Sequence, residues 1–238
     1  MRFTPSRETK YLSKCIKLNK IYYIRYFVEI MNQKNSLGLD KCFKDLENPI
    51  ELFHEWFNEA KKTEINDPNA LTLATSSKDG IPSARIVLLN GFNQNGFLIY
   101  TNLDSKKSID IKNNPNAAMC FHWKSLLRQI RITGEITKVS DEDADLYFKG
   151  REYLSRIGAW ASKQSEVLKN REELYQEIEN YKKKYSDKNN VPRPSYWSGW
   201  NLNPNEVEFW LDGKNRIHQR LKYIKSQNGI WNKFLISP

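Results

Sequence analysis

The pattern of apolar and polar positions is clearest in an amphipathic stretch that follows residue 48. Apolar residues recur there at three- and four-residue spacing, which gives a helix one apolar face: Leu52, Phe53, Trp56, Phe57 and Ala60. Asn48 can cap the start, Pro49 suits a first turn, and Glu51 completes a capping-box pattern. The pattern therefore predicts a helix over Pro49–Thr63.

The middle of the chain alternates between apolar runs and turn-forming residues, which is typical of strands joined by hairpins. Turn signals follow the first two runs, at Lys78-Asp79-Gly80 and at Asn93-Gln94-Asn95-Gly96. Five strands are predicted, with a short helix over residues 105–113 between the third and the fourth. The strands cover residues 70–75, 84–89, 97–101, 116–123 and 128–139.

The last part of the chain predicts helices over residues 141–151 and 165–184, then a loop with Pro192 and Pro194. Two or three strands close the chain, over residues 207–211, 216–224 and 230–235. Strands that follow one another without strand–helix–strand alternation favour a mainly β (α+β) fold, an antiparallel barrel or sandwich with peripheral helices. No G-x-G-x-x-G or Walker loop follows a strand, which excludes Rossmann and P-loop folds.

Cysteine and histidine usage argues against a metal site. The chain has 238 residues, and its three cysteines, Cys15, Cys42 and Cys120, lie far apart without a C-x-x-C pair. Its three histidines are equally scattered. We therefore expect no bound metal, no disulfide framework and a reducing compartment.

The formal net charge is +10, and half of it lies in residues 1–30, where seven Lys and Arg face two Glu. We expect a basic extension over residues 1–30 and one folded domain over residues 31–238. The extension reads either as a variable tail or as a mitochondrial-type presequence, and the tail is favoured. No apolar run reaches the ~18 residues of a membrane span. A cytoplasmic location is expected, or a mitochondrial one if the extension is a presequence.

Two clusters of basic residues indicate anion binding. Lys106 and Lys107 follow Ser105 at a predicted helix start, where cations oppose the helix dipole unless a phosphate binds there. The alternative is a solvated surface pair. In a strand, Arg216, His218 and Arg220 would project from one face and repel one another unless an anion or acidic residue lies opposite. The alternative is an ion-pair cluster with a neighbouring strand.

Two further clusters carry hydrogen-bonding groups. Tyr147, Arg151 and Ser155 are spaced by four, so a helix that continued past Arg151 would place them on one face, a set suited to a phosphate monoester. The alternative is ordinary exposed helix surface. Gln129 and Arg131 share a strand face on which the Gln amide could bind the edge of a heterocycle. The four clusters together indicate a ligand with one or two phosphates and a polar ring.

Longer motifs resemble a known family over roughly four-fifths of the chain. The segments that carry the resemblance are residues 85–89 (RIVLL), 100–107 (YTNLDSKK), 157–165 (IGAWASKQS), 191–197 (VPRPSYW), 208–210 (EFW) and 216–220 (RIHQR). In order and spacing they resemble the pyridoxamine 5′-phosphate oxidase family. The resemblance implies a homodimer of split β-barrels with FMN in clefts between the subunits, and oxidation of a phosphorylated B6 vitamer by dioxygen.

The resemblance also implies roles for individual residues. FMN contacts would come from both subunits, with Arg85, Lys106 and Lys107 at the phosphate, and from Ile86, Val87, Leu88, Tyr100, Thr101, Gln129, Gln164, Ser165, Trp210 and Arg220. The substrate phosphate would be held by Tyr147, Arg151 and Ser155. Catalytic roles would fall to Arg216 and His218, which would orient the pyridine ring so that its C4′ carbon faces flavin N5.

Some positions depart from the family pattern. Asn90 stands where the family carries a lysine that touches the substrate phosphate, and Lys106 stands where the family usually carries arginine. The C-terminal Arg-Leu-x-Pro of the family is replaced by Leu235-Ile236-Ser237-Pro238. These departures spare most flavin contacts and weaken substrate contacts. They leave a second hypothesis, a divergent paralogue that binds FMN or pyridoxal phosphate with little turnover.

A hypothesis from another class is a basic nucleic-acid-binding protein. It would bind through residues 1–30 and the lysines Lys182–Lys184, with strong salt sensitivity. No RNP-type aromatic strand or recognition helix is visible in the sequence. The oxidase hypothesis is favoured, with a small phosphorylated substrate and neither nucleic acid nor membrane as a partner.

Overall fold

The computed structural model describes residues 38–238, and the basic extension predicted over residues 1–30 lies outside the described residues. The chain divides into two compact units, Met1–Glu47 and Asn48–Pro238. The first unit is described over residues 38–47, where the Phe43 N–H donates to the Asp40 carbonyl oxygen at 2.9 Å and closes a turn. The helices and strands below belong to the second unit.

Nine strands and five helices make up the second unit. In chain order they are α1 (Pro49–Thr63), β1 (Ala70–Ser76), β2 (Pro82–Leu88), β3 (Gly91–Asn93), β4 (Gly96–Asn102), α2 (Lys106–Asn113), β5 (Asn116–Trp123), β6 (Arg128–Lys138), α3 (Asp141–Lys149), α4 (Tyr153–Ala161), α5 (Arg171–Lys184), β7 (Trp197–Leu211), β8 (Gln219–Lys225) and β9 (Trp231–Leu235). Among the described residues, no helix is long and apolar enough to cross a membrane.

The strands form one sheet in which every pairing is antiparallel. Its order is β2-β1-β5-β6-β7-β4-β3, with β8 on β7 and β9 on β8. The long strand β7 pairs with β6 along its length, with β4 through its first half and with β8 through its second half. The register of β6 shifts at Thr133/Gly134. There, a Cβ on Gly134 would lie 2.0 Å from the Asn203 carbonyl oxygen, so only glycine fits.

Helix α1 covers the sheet with the apolar face that the sequence predicts. Its start is capped by Asn48, whose side chain accepts from the Ile50 N–H at 2.9 Å. Phe53 is fully buried and contacts the rings of Phe97 and Phe121, with centroids 4.9 and 5.2 Å away. This aromatic core fixes β4 and β5 beneath the helix, and β4 carries part of the site described below.

The predicted mainly β fold and its hairpins are confirmed, and α1 and β5 have the predicted bounds. Most other boundaries differ by one or two residues, and four of the differences bear on the site or on the length of an element. The helix predicted over 141–151 ends at Lys149, and the helix predicted over 165–184 begins at Arg171. The strand predicted over 207–211 is the end of the 15-residue β7, and the strand predicted from 216 begins at Gln219. Helix α4 and the short strand β3 were not predicted.

Candidate functional site

A cleft with a volume of about 650 Å³ lies beside edge strand β2. Its walls are β2, β4, the start of α2, the end of α3, the segment that follows α4 and the start of β7. It brings together thirteen of the residues predicted for the site, together with Trp197: Arg85, Ile86, Val87, Leu88, Asn90, Tyr100, Thr101, Lys106, Lys107, Tyr147, Arg151, Gln164 and Ser165. The thirteen predicted residues come from separate segments between positions 85 and 165, so the fold assembles the site.

Arg85 is held rigidly at one end of the cleft. One terminal nitrogen, Nη1, donates to the Leu73 carbonyl oxygen at 3.2 Å and to Thr75 Oγ1 at 2.7 Å, and Nη2 donates to Ser83 Oγ. Burial lowers the pKa of Arg85, and the negative charge of Asp110 acts in the opposite direction. The guanidinium is therefore fixed before any ligand arrives, which reduces the entropic cost of binding an anion.

Lys107 is a buried lysine whose hydrogen bonds go to neutral oxygen atoms. It is only 8% exposed, and its Nζ lies 3.1 Å from Thr101 Oγ1, 3.0 Å from Ser105 Oγ and 3.0 Å from Gln164 Oε1. Burial, and secondly the charge of Arg85, lower the pKa of Lys107 to about 8. A buried ammonium with neutral partners is unfavourable unless an anion binds beside it.

One buried carboxylate balances part of the positive charge. Asp110 is 2% exposed, pairs with Lys106 one helical turn away, and accepts from Thr75 Oγ1 at 3.0 Å. Although burial alone would raise its pKa, hydrogen bonds from Lys106 and Thr75 together with nearby positive charge hold the pKa of Asp110 below its usual value. Three cations face one anion, so this end of the cleft keeps a positive surplus.

The start of α2 adds backbone donors to this charge. The N-cap Ser105 forms no capping bond with its side chain, and the Lys106 N–H donates to Ser165 Oγ at 3.3 Å. Ser165 adopts a left-handed conformation with φ of 77°. Since a helix start attracts anions, the first turn of α2 and its two lysines could hold a phosphate.

The opposite end of the cleft is aromatic. The rings of Tyr100 and Tyr147 stack at 3.9 Å with 5° between their planes, and Trp197 lies 5.5 Å from Tyr100. The Tyr100 ring covers Gly199, where a Cβ would lie 2.7 Å from a ring carbon, so the stack requires glycine at that position. The flat stack gives this end of the cleft a rigid aromatic wall.

Arg151 lies beside this wall with part of its guanidinium unsatisfied. Its Nη1 atom is buried and has no hydrogen-bond partner among the described residues. The guanidinium carbon lies 4.7 Å from the Trp197 ring centroid and 5.7 Å from that of Phe148. Burial lowers the pKa of Arg151. A buried N–H donor without an acceptor is costly, which points to an anionic ligand at this end as well.

A second group of predicted residues lies elsewhere on the sheet. Gln129 pairs with Trp210, which pairs with Arg220, and the rings of Trp210 and His218 lie 4.6 Å apart. Gln129 and Arg131 do share a face while Ile130 is buried, as predicted. None of the four predicted residues of this group is among those that line the cleft.

The prediction that Tyr147, Arg151 and Ser155 share one helical face is wrong. Helix α3 ends at Lys149, so Arg151 lies in the following turn and Ser155 lies in α4. Tyr147 and Arg151 still meet in the cleft, whereas Ser155 is exposed and does not line it. The turn, and not helical periodicity, brings the first two together.

The prediction of a strand face with Arg216, His218 and Arg220 is also wrong. Residues Lys214–Arg216 form a 3-10 turn in which Arg216 has φ of 64°, and β8 begins only at Gln219. Arg220 Nη2 pairs with Glu208 at 2.8 Å, and His218 Nδ1 lies 3.1 Å from Asp212. Within this chain, the ion-pair alternative describes Arg220, whereas the Nδ1 atom of His218 also accepts from the Gly213 N–H at 3.2 Å.

Two residues at the site were not predicted as part of it. Trp197 supplies the surface on which Arg151 rests, and Asp110 anchors the anion-binding end. Trp197 belongs to a motif that the resemblance includes, so that motif could have indicated it. Asp110 is four residues after Lys106, the spacing of a helical ion pair, and this signal was available in the sequence.

Comparisons with known proteins agree over most of the chain. Residues 57–185 match a family model described as pyridoxamine 5′-phosphate oxidase, and residues 197–238 match the pyridoxine 5′-phosphate oxidase C-terminal dimerisation region. A curated pyridoxine/pyridoxamine 5′-phosphate oxidase of Pelagibacter ubique is 65% identical over 208 residues, which cover 87% of this chain and 100% of that protein. Its counterpart in Allorhizobium ampelinum is 48% identical over 82% of this chain and 95% of that protein.

Solved structures share the fold. PhzG from Burkholderia lata, in complex with tetrahydrophenazine-1-carboxylic acid, has a TM-score of 0.78 at 27% identity and covers 83% of this chain and 96% of its own. A pyridoxamine 5′-phosphate oxidase-related, FMN-binding protein from Nostoc punctiforme has a TM-score of 0.66 at 17% identity, covering 82% of this chain and 99% of its own. These matches confirm the predicted split-barrel fold.

Proposed function

The chain belongs to the pyridoxamine 5′-phosphate oxidase family, and on that premise we propose that it oxidises pyridoxamine 5′-phosphate and pyridoxine 5′-phosphate to pyridoxal 5′-phosphate with FMN as cofactor. Dioxygen is the acceptor and leaves as hydrogen peroxide. The amine substrate also consumes water and releases ammonia, which balances the reaction. The observation that carries the proposal is one cleft lined by Arg85, Lys106 and Lys107 and also by Arg151, whose buried Nη1 has no partner among the described residues, so that it offers cationic groups for two phosphates.

The residues at the first end fit the phosphate of FMN. Arg85 is preorganised by three hydrogen bonds, Lys107 is buried among neutral oxygen atoms, and the start of α2 offers backbone donors. Gln164 Oε1 accepts from both Lys107 and Thr101, so its amide NH₂ is left to donate to a ring system. Bound FMN would supply the two-electron redox chemistry, since no side chain of the cleft can do so.

The second end fits the phosphate of the substrate. Arg151 has a buried donor without a partner among the described residues, and Tyr147 lines the same cleft. Because a guanidinium can grip two phosphate oxygens at once, Arg151 is the principal anchor. The aromatic wall of Tyr100, Tyr147 and Trp197 would exclude water on one side of the substrate.

The second group of residues would complete the site from a partner subunit. The match of residues 197–238 to a dimerisation region supports a homodimer. In that homodimer, Gln129, Trp210 and Arg220 of one copy would contact the flavin held by the other. Arg216 and His218 would then orient the pyridine ring. The chain's own residues thus bind and align the reactants, which is the main catalytic contribution of such a site.

The visible spectrum of the purified protein tests this proposal. We expect flavin absorption bands that bleach when pyridoxamine 5′-phosphate is added without oxygen, and peroxide release once air is readmitted. Unphosphorylated pyridoxamine at the same concentration serves as the control and should bleach the bands far more slowly. Bands that persist with the phosphorylated substrate would contradict the oxidase and support the divergent paralogue that binds FMN or pyridoxal phosphate with little turnover. The 65% identity to a curated oxidase does not favour that alternative.

FMN affinity should depend on pH through Lys107. In the flavin-free protein the pKa of Lys107 is lowered to about 8, and a bound phosphate favours its charged form. Between pH 7 and 9 the phosphate itself keeps its charge, since its second pKa is about 6. The dissociation constant for FMN should therefore rise about tenfold over this range as Lys107 loses its proton. Riboflavin, which lacks the phosphate, should show no such rise in equilibrium dialysis or fluorescence titration.

The bacterial origin of the curated relatives supports a cytoplasmic location. They give no support to a mitochondrial presequence in residues 1–30. Oxygen-dependent turnover is compatible with that location, because the reaction needs only a diffusible acceptor. We propose a single oxidase domain over residues 31–238, without nucleic acid or membrane as a partner.

A further inference from the structure

Asn90 lines the cleft, and both polar atoms of its side chain form hydrogen bonds. Its Oδ1 atom accepts from the Tyr100 backbone N–H at 2.9 Å, and its Nδ2 atom donates to the Tyr147 hydroxyl oxygen at 2.6 Å. The Asn90 N–H in turn donates to the Leu98 carbonyl oxygen at 2.9 Å. Asn90 therefore links strand β4 to the end of helix α3 across the cleft.

The chemistry of these bonds fixes the direction of each proton. A backbone N–H can only donate, so the amide oxygen of Asn90 must face Tyr100 and the NH₂ group must face Tyr147. Since an NH₂ group also only donates, the Tyr147 oxygen acts as its acceptor. The phenolic hydrogen of Tyr147 is then free to be donated to another acceptor.

The stack fixes the position of the Tyr147 ring. Its ring lies 3.9 Å from Tyr100 with 5° between the planes, and Tyr100 is itself pressed against Gly199. Only its hydroxyl hydrogen can rotate. Arg151, whose buried Nη1 has no hydrogen-bond partner among the described residues, lines the same cleft. A phosphate oxygen bound by Arg151 is the acceptor that this arrangement suits.

We propose that Asn90 is a positioning residue that makes Tyr147 a hydrogen-bond donor to the substrate phosphate. The inference rests on the proposed function, because it assigns the ligand at Tyr147 to the phosphorylated B6 vitamer. A lysine at this position would touch the phosphate with its own charge, whereas Asn90 acts through Tyr147. The chain thus replaces a direct cation with an indirect, uncharged contact.

A double-mutant cycle on the FMN-loaded protein tests this role. Asn90→Ala, Tyr147→Phe and the double variant are titrated with pyridoxal 5′-phosphate, and with pyridoxal as the unphosphorylated control. Asn90→Ala should weaken binding of the phosphorylated compound by about three- to tenfold, the usual range for one partly exposed hydrogen bond. In the Tyr147→Phe background the same substitution should change affinity less than twofold. Pyridoxal binding should change less than twofold throughout.

Asn90→Asp provides a second variant of the same shape. One carboxylate oxygen can still accept from Tyr100, while the other would accept the phenolic hydrogen of Tyr147 and withdraw it from the phosphate. We expect a larger loss than for Asn90→Ala, and a smaller loss when Tyr147→Phe is already present. The flavin spectrum and melting temperature of each variant report whether it is folded.

The outcomes separate this inference from the proposed function. Equal losses for Asn90→Ala in both backgrounds, or equal losses for both ligands, would overturn the role of Asn90. A protein that binds pyridoxal 5′-phosphate tightly but fails to bleach with substrate would contradict the oxidase and leave the cycle valid. A wild-type protein with equal affinity for pyridoxal and its phosphate would overturn the assignment of Tyr147 to the phosphate and, with it, the role of Asn90.

Discussion

Replacing Lys107 by methionine should raise the melting temperature of the flavin-free protein while weakening its affinity for FMN by about 10- to 100-fold. The two effects have one cause. Lys107 is 8% exposed among neutral oxygen atoms, and burial lowers its pKa to about 8 from 10.5. Without a ligand this buried charge destabilises the fold, and with FMN it binds the phosphate.

The sign of the stability change can be checked against pH. Because the pKa of Lys107 is lower in the folded protein, the unfolded chain binds more protons between about pH 8 and 10.5, and stability from this group rises across that window. At pH 7 the destabilisation is fully present. The gain in melting temperature for Lys107→Met should therefore be largest near pH 7 and shrink towards pH 10.

Lys112→Met is the matched control for this variant. Lys112 lies near the other end of α2, its side chain is 48% exposed, and its pairing with Asp104 at 3.8 Å is weak. Removing it changes the net charge equally, so we expect little change in melting temperature or FMN affinity. An unchanged dissociation constant in Lys107→Met, measured by fluorescence titration, would show that the phosphate binds elsewhere.

Local sequence signals predicted the elements whose ends are marked by their own residues, such as a capping residue. Helix α1 has the predicted bounds because Asn48 caps it and its apolar face meets the sheet. The first half of strand β7 was not predicted, because it contains Gly199 and Pro204, and these residue types are unusual inside a strand. Those residues are tolerated because Gly199 lies beneath the Tyr100 ring and Pro204 pairs at the register shift of β6. Both reasons are tertiary contacts.

Prediction of the candidate site was limited in the same way, because tertiary contacts do not show in local sequence signals. Lys106 and Lys107 were predicted from charge at a helix start, a local signal that the structure places in the cleft. Arg216 was misplaced because residues 215 and 216 both adopt positive φ, which ends any strand there. Pairing of Arg220 with Glu208 depends on the register between β7 and β8, which sequence spacing alone does not reveal. The geometry of Tyr147 and Arg151 likewise depends on the turn after Lys149.

Replacing Arg151 by methionine should raise KM for pyridoxamine 5′-phosphate by about 10- to 100-fold and leave FMN affinity unchanged. Arg151 has a buried, unpartnered Nη1 among the described residues and rests on the ring of Trp197 at 4.7 Å. Methionine keeps that apolar contact and removes only the charged donors. The flavin-free protein should therefore be as stable as wild type, or more stable, because an unsatisfied buried charge is lost.

Arg151→Lys and Lys149→Met separate charge, geometry and position. Lysine keeps the charge but lacks the planar fork that binds two phosphate oxygens, so its KM should lie between those of wild type and Arg151→Met. Lys149 is exposed two residues earlier in the chain, and its removal should leave KM unchanged, because its charge is screened by solvent. Steady-state peroxide release with phosphorylated and unphosphorylated substrate provides the comparison. If Arg151→Met raised KM equally for both substrates, Arg151 would shape the aromatic wall and would not bind the phosphate.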